Sequence, residues 1–185
     1  MGVKKIALQN PVTAHPRALE CIKAADLIVI GPGDLYGSVL PPLLVPEIAR
    51  AIREAKAPLM YVANLTNKQG QTSGFTAHNY AHIIHDYLGV HCIDVLLCNT
   101  TPPPAHLIER YEEQEGKGAV IVECAERTEG DPYRVIARDL ISHDSLMIHP
   151  QDAEHASSLI RHDPIKLAAA VIEVLSEKVA VSTSM

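Results

Sequence analysis

Residues Asp26–Pro46 read D-L-I-V-I-G-P-G-D-L-Y-G-S-V-L-P-P-L-L-V-P. Leu27-Ile28-Val29-Ile30 is a short continuous apolar run, the pattern of a strand buried on both faces in a parallel sheet covered by helices. It breaks at Gly31-Pro32-Gly33, where glycine permits close backbone approach and proline removes a donor, so the strand must stop and turn. After a short linker, Val45–Lys56 reads as an amphipathic helix. Ile48, Ala51, Ile52 and Ala55 form its apolar side, and Pro46 suits the first turn. Strand, glycine-rich turn and helix in that order place a ligand at the carboxyl edge of an open α/β sheet. Taken alone the motif is unspecific, since Gly31-Pro32-Gly33 is neither G-x-G-x-x-G nor a P-loop, and most such turns are only turns.

The flanking chain repeats the alternation. Lys5–Gln9 reads as a strand and Pro16–Ala25 as a helix with Ala18, Leu19, Ile22 and Ala25 on its apolar side. Pro58–Leu65 reads as a strand, Thr76–Leu88 as a helix, Ile93–Cys98 as a buried strand and Ala105–Glu113 as a helix. Ala119–Val122 and Tyr133–Ala137 are further strands, and Asp163-Pro164 caps a last helix, Ile165–Lys178, followed by a frayed tail. Alternating βα units predict one three-layer, Rossmann-like α/β domain over residues 1–185, with a mostly parallel sheet and helices on both faces.

Composition narrows the function classes. At 185 residues the chain can bury a substantial core. A net charge of −6 and a pI near 5.9, without a basic run, exclude nucleic acid as the expected partner. Cys21, Cys92, Cys98 and Cys124 are scattered, without a Cys-x-x-Cys pair, which predicts free thiols in a reduced setting. With no membrane-spanning run and no signal-peptide pattern, the expectation is a soluble cytoplasmic protein.

In a parallel sheet the strand-to-helix loops gather at one edge. Here three are rich in small polar residues: Gly31–Ser38, Asn64–Gly74 and Asn99–Pro104. Their amides, with the side chains of Ser38, Asn64, Thr66, Asn67, Thr72 and Asn99, suit phosphate or carboxylate, although short polar loops occur at this edge of every α/β protein. Asp34 in the turn is a candidate magnesium ligand and equally a favoured turn residue. His78, His82 and His85 share one helix face, but without the Glu of H-E-x-x-H they read as solvated histidines bordering the apolar stripe, and no metal centre is predicted. Arg161, before the N-cap Asp163, offers a planar fork for a phosphate or for a carboxylate of the fold.

Three segments carry a resemblance: G-P-G-D-L-Y-G-S-V-L-P-P-L-L-V, then N-L-T-N-K-Q-G-Q-T-S-G-F-T-A-H, then I-R-H-D-P-I-K-L-A. Together, and in order over nearly the whole chain, they resemble the second half of the CofD/YvcK family. That family joins 2-phospho-L-lactate transferase to the bacterial YvcK-type gluconeogenesis factors, and the first segment is similar to the YvcK branch. The resemblance implies a Rossmann-like protein that binds a nucleotide or a nucleotide sugar such as UDP-N-acetylglucosamine, linked to carbon metabolism and cell-wall morphogenesis. Transferase members move a phospholactyl group from a guanosine diphosphate carrier to a deazaflavin, with magnesium. By position, Gly31, Pro32, Gly33, Leu35, Tyr36 and Ser38 match the first motif. Asn64, Gly70 and Thr72 match the second, and Arg161, His162, Asp163 and Pro164 the last.

The departures are specific. Asp34 stands where the family usually has Ser, and a carboxylate there repels phosphate unless a cation intervenes. Gly37 replaces the usual Thr, Gln71 the usual Glu, and Asn79-Tyr80 the usual Asp-His. The family's opening Gly-Gly-Gly-Thr-Gly loop and its Asp-Asp-Gly segment do not occur in these residues. The expectation is therefore the C-terminal portion of a longer protein, or a natural short form. Its role would be binding and regulation, with phospholactyl transfer or a non-catalytic assembly module, homo-oligomeric or with other chains, as the alternatives.

Overall fold

In the computed structural model, which describes residues 2–116, 121–124, 130–142 and 160–183, the apolar runs form β1 (Ile28–Ile30), β2 (Leu59–Val62), β3 (Val95–Asn99) and β4 (Arg134–Arg138). They lie side by side in chain order, and every neighbouring pair is parallel. Helices α1 (Pro16–Ala24), α2 (Leu40–Leu43), α3 (Pro46–Glu54), α4 (Ala77–Leu88), α5 (Ala105–Glu115) and α6 (Pro164–Thr183) complete the order.

Side chains alternate across a strand, and here the alternation divides two cores. Leu59, Tyr61, Leu96 and Cys98 face Ala49 and Ile52 of α3 and Tyr80, Ala81, Ile84 and Leu88 of α4. Met60, Val62, Val95, Leu97 and Ile136 face Ala170 and Val174 of α6. The three-layer Rossmann-like arrangement with helices on both faces follows directly. Helix α4 is sharply bounded: Thr76 and Asn79 form a capping box, and Gly89 takes the left-handed φ of 77° that ends it.

Several local expectations are corrected. β1 is an edge strand rather than one buried on both faces: Val29, on the face of Met60, stays 43% exposed because α6 does not hide it. The stretch between β1 and α3 is no linker. It forms a π-helical turn, Leu35–Val39, and then α2, because Leu35, Leu40 and Leu43 all enter the core. Lys5–Gln9 is not a strand; Ile6 is tied instead by its N–H to the Tyr87 hydroxyl at 2.8 Å. The predicted strand Ala119–Val122 begins outside the described residues, and Ile121 makes only an isolated antiparallel bridge to Thr66. The tail expected to fray continues α6 to Thr183.

Two corrections concern chemistry. Cys98 and Cys124 are joined as a disulfide, with their Cα atoms 5.7 Å apart, while Cys21 and Cys92 are free. The sequence separation of 26 residues hid the pairing, which depends on the segment around Val122 returning to the end of β3. The histidines of α4 are not a solvated border either. His78 and His85 are buried, and only His82 is exposed. Residues entering β3 and β4 close over them. His78 Nδ1 lies 2.8 Å from the Tyr133 hydroxyl and 3.2 Å from Asp131, and His85 Nδ1 lies 2.9 Å from His91 Nδ1. His85 Nε2 accepts the N–H of Ile93 at 3.3 Å, so Nδ1 carries the proton donated to His91.

Burial, reinforced by His91 and His82, lowers the His85 pKa to about 4. The unfolded chain, with an ordinary imidazole near 6.5, therefore binds more protons between those values. Stability is fully present above pH 6.5 and is lost as pH falls towards 4, by up to about 3 kcal/mol from this group. Urea titrations across that window are expected to show the loss in the native protein and a shallower slope in His85→Asn. Non-reducing peptide mapping is expected to recover Cys98 and Cys124 in one linked pair, and removing that link costs about 3 kcal/mol of stability for a loop of this length.

Candidate functional site

The carboxyl ends of β1 and β2 are fastened to each other by one amide. Asn64 Nδ2 donates to the Gly33 carbonyl at 2.7 Å, and Asn64 Oδ1 accepts the Gly33 N–H at 3.4 Å and the Tyr61 hydroxyl at 3.3 Å. This clamp fixes where the first loop leaves the sheet. Next to it, Asp34 Oδ1 accepts the Gly37 N–H at 2.8 Å, and Oδ2 accepts from Lys68 Nζ at 2.7 Å. The Asp34 carbonyl takes the N–H groups of Ser38 and Val39 at 2.8 and 3.0 Å. Burial pushes the Asp34 carboxyl up, but Lys68 and the Gly37 and Tyr36 amides outweigh it and hold the group below the usual carboxylate range. Its partner Lys68 is held above the usual ammonium value by the Asp34 hydrogen bond.

The second loop is folded from within. Thr72 Oγ1 accepts the Lys68 N–H at 2.9 Å and donates to the Tyr80 hydroxyl at the same distance. Tyr80 in turn donates to Asn67 Oδ1 at 3.0 Å, and Asn67 Nδ2 donates to the Phe75 carbonyl at 2.9 Å. Asn67 and Thr72 are buried, so their polar groups had to find protein partners, which the loop itself, Phe75 and Tyr80 of α4 supply. On the far wall, Thr66 donates to the Tyr111 hydroxyl at 3.0 Å, and Tyr111 donates to the Asn67 carbonyl at 3.3 Å.

A cleft of about 560 Å³ opens between these walls, lined by Pro32, Gly33, Asp34, Asn64, Leu65, Thr66, Lys68, Tyr111, Glu115, Ile160, Arg161 and His162. Among the residues expected from sequence, Pro32, Gly33, Asp34, Asn64, Thr66 and Arg161 are brought together here. Gly31 and Ser38 line a neighbouring, mainly apolar groove of about 350 Å³ beside β1. Leu35 is a core residue, Tyr36 packs half-buried against the core, and Thr72 is a buried brace of the second loop. Gly70 sits exposed with a φ of 74°, where it permits the turn rather than lining the cleft. Asn99 also works internally, accepting the Leu140 N–H at 2.9 Å and donating to the Thr101 carbonyl at 2.6 Å.

Sequence reading missed Lys68, Tyr111 and Glu115. Lys68 had a signal, as the one cation within the polar loop Thr66–Gly74. Tyr111 had none, because nothing local places α5 against that loop. His162, matched by motif alone, has a specific environment. Burial pushes its imidazole below the usual range against a backbone hydrogen bond to Ala63, and Nε2 finds no hydrogen-bond partner among the described residues.

The fold and cleft define a Rossmann-like α/β protein with a mixed-charge polar cleft at the carboxyl edge of its sheet. The profile of the 2-phospho-L-lactate transferase CofD family matches residues 2–141. The chain belongs to that family. It is 35% identical over 167 residues to the gluconeogenesis factor of Listeria innocua, covering 90% of this chain and 47% of that protein. With the gluconeogenesis factor of Bacillus subtilis it shares 32% identity over 176 residues, 95% of this chain and 51% of the other. A crystal structure of a UPF0052 family member from Bacillus halodurans superposes with a TM-score of 0.74 at 29% identity, covering 88% of this chain and 47% of that one. The chain thus spans about half the length of these relatives.

Because Asn64 makes both bonds to Gly33, truncating it strands a part-buried N–H and a carbonyl. Asn64→Ala is expected to destabilise the fold by about 2 kcal/mol in urea unfolding. Asn64→Asp keeps the acceptor but loses the donor to Gly33, and is expected to fall between the two.

Proposed function

We propose that this chain binds a nucleotide sugar of the UDP-N-acetylglucosamine type in the Asp34–Lys68–Arg161 cleft, in a regulatory rather than catalytic role. What supports the reading best is the convergence at one sheet edge of three segments distant in sequence. Their amide, hydroxyl, ammonium and guanidinium groups line a cleft whose volume suits a small ligand. Relatives named gluconeogenesis factor agree with a role in carbon metabolism. Lys68 and Arg161 would meet the phosphates, Thr66 and Asn64 offer hydroxyl and amide groups, and Tyr111 and Leu65 give apolar surface for a ring.

Magnesium does not have a resident site in this reading. Both oxygens of Asp34 are engaged by Lys68 and Gly37, and no cluster of His, Cys, Asp or Glu able to hold a metal occurs among the described residues. Any magnesium would arrive with the diphosphate. No helix among the described residues is long and apolar enough to cross a membrane.

The description of the family profile favours a second reading, phospholactyl transfer from a nucleotide carrier. It would use the same cleft, with His162 Nε2, which has no hydrogen-bond partner among the described residues, as the candidate proton acceptor. A transfer assay with a deazaflavin acceptor separates the two readings.

Thermal-shift titrations with UDP-N-acetylglucosamine, UDP and GDP, each with and without magnesium, test the leading reading. Binding to the native state alone raises Tm by mass action. The expected outcome is a uridine-selective rise that shrinks in Lys68→Ala and in Arg161→Ala. No rise with any of them at about millimolar ligand would sink it.

A further inference from the structure

Resting on the reading of the cleft as an anion site, we propose that Asp34 is a built-in competitor, a carboxylate that occupies the place of a ligand phosphate in the empty protein. The argument starts from what Asp34 holds. Its Oδ2 takes the Lys68 ammonium at 2.7 Å and its Oδ1 takes the Gly37 N–H at 2.8 Å. A cation and a backbone N–H are what a phosphate oxygen recruits when it binds beside a glycine-rich turn. The residue is also in the right place, because Asp34 and Lys68 both line the cleft together with Arg161.

An alternative is that Asp34 is only the brace of its own turn. The turn has other supports: the Asp34 main-chain carbonyl accepts from Ser38 and Val39, Leu35 and Leu40 are buried, and Asn64 holds Gly33. The bond from Oδ2 to Lys68 spans 34 residues of sequence, joins the two loops across the cleft and adds nothing to the turn itself. Such a bond is also cheap to exchange. The side chains of Lys68 and Asp34 are 49% and 28% exposed, and pairs this open contribute little. An incoming diphosphate can take Lys68 from Asp34 without a large desolvation cost, while a weakly charged ligand gains nothing from the exchange. The cleft is thereby biased towards multiply charged anions.

The test measures affinity for UDP and for inorganic pyrophosphate by calorimetry in the native chain, Asp34→Asn, Lys68→Met and the double variant. Asparagine keeps an acceptor for Gly37 and removes the charge. Asp34→Asn is expected to bind both ligands about three- to tenfold more tightly at low salt, with the gain shrinking as ionic strength rises. In the Lys68→Met background the gain is expected to shrink to the loss of repulsion alone. Unchanged or weaker binding in Asp34→Asn, with the native chain still binding UDP, would overturn the competitor role and leave the cleft assignment standing. No binding of either ligand to any of the four proteins would overturn both. A circular dichroism melt of each variant separates these outcomes from misfolding.

Discussion

Everything at the cleft depends on β2 having no wet face. Leu59, Met60, Tyr61 and Val62 are between 0% and 2% exposed, so every backbone group of the strand must be paired within the sheet. The register to β1 and β3 meets that demand, and it fixes the point at which Asn64 emerges. From there the amide reaches back to Gly33 and sets the exit of the first loop. The site is thus positioned by hydrophobic burial first and by one side-chain amide second. The charged groups come last and decide chemistry rather than shape.

The same logic explains why the loops differ in stiffness of construction. Asn67 and Thr72 of the second loop form a buried polar network with Tyr80 of α4 and the Phe75 carbonyl. Low local dielectric makes such a network costly to break, so the second loop acts as a fixed wall. Lys68 projects from that wall into solvent at 49% side-chain exposure, where its attachment to Asp34 is weak and exchangeable. A fixed wall bearing an exchangeable cation is a reasonable construction for recognising an anion.

The fold was legible because its signals are local and periodic. Apolar runs alternating with helical stretches suffice to predict a parallel sheet, although Lys5–Gln9 reads as a further strand that does not form, and the alternation within L-M-Y-V and V-L-L-C is what divides the two cores. The edge position of β1 was not legible, since the apolar run Leu27–Ile30 reads the same whether a neighbour covers it or not. Six of the expected residues line the cleft, and three of those that lie elsewhere have structural work in the loops. Leu35, Thr72 and Gly70 belong to the motifs because the loops need them to fold, as core, brace and turn. A motif does not separate residues that build a loop from those that face a ligand. Tyr111 faces the cleft through tertiary packing, which no spacing encodes, whereas Lys68 is visible as the one cation of its polar loop.

The histidines of α4 complete the contrast. They read as solvated histidines in the sequence, yet His78 and His85 are buried parts of the frame and only His82 is exposed, while Asp34, read as a turn residue, holds the exposed Lys68. Magnitudes separate them. A buried imidazole resists gaining charge, as the depressed His85 pKa shows, so its proton is fixed at neutral pH. An exposed ion pair costs about 1 kcal/mol or less to open. Of the two, only the exposed pair at the carboxyl edge can exchange its partner at small cost. The histidine network lies with the residues that enter β3 and β4, where holding still is what the fold requires.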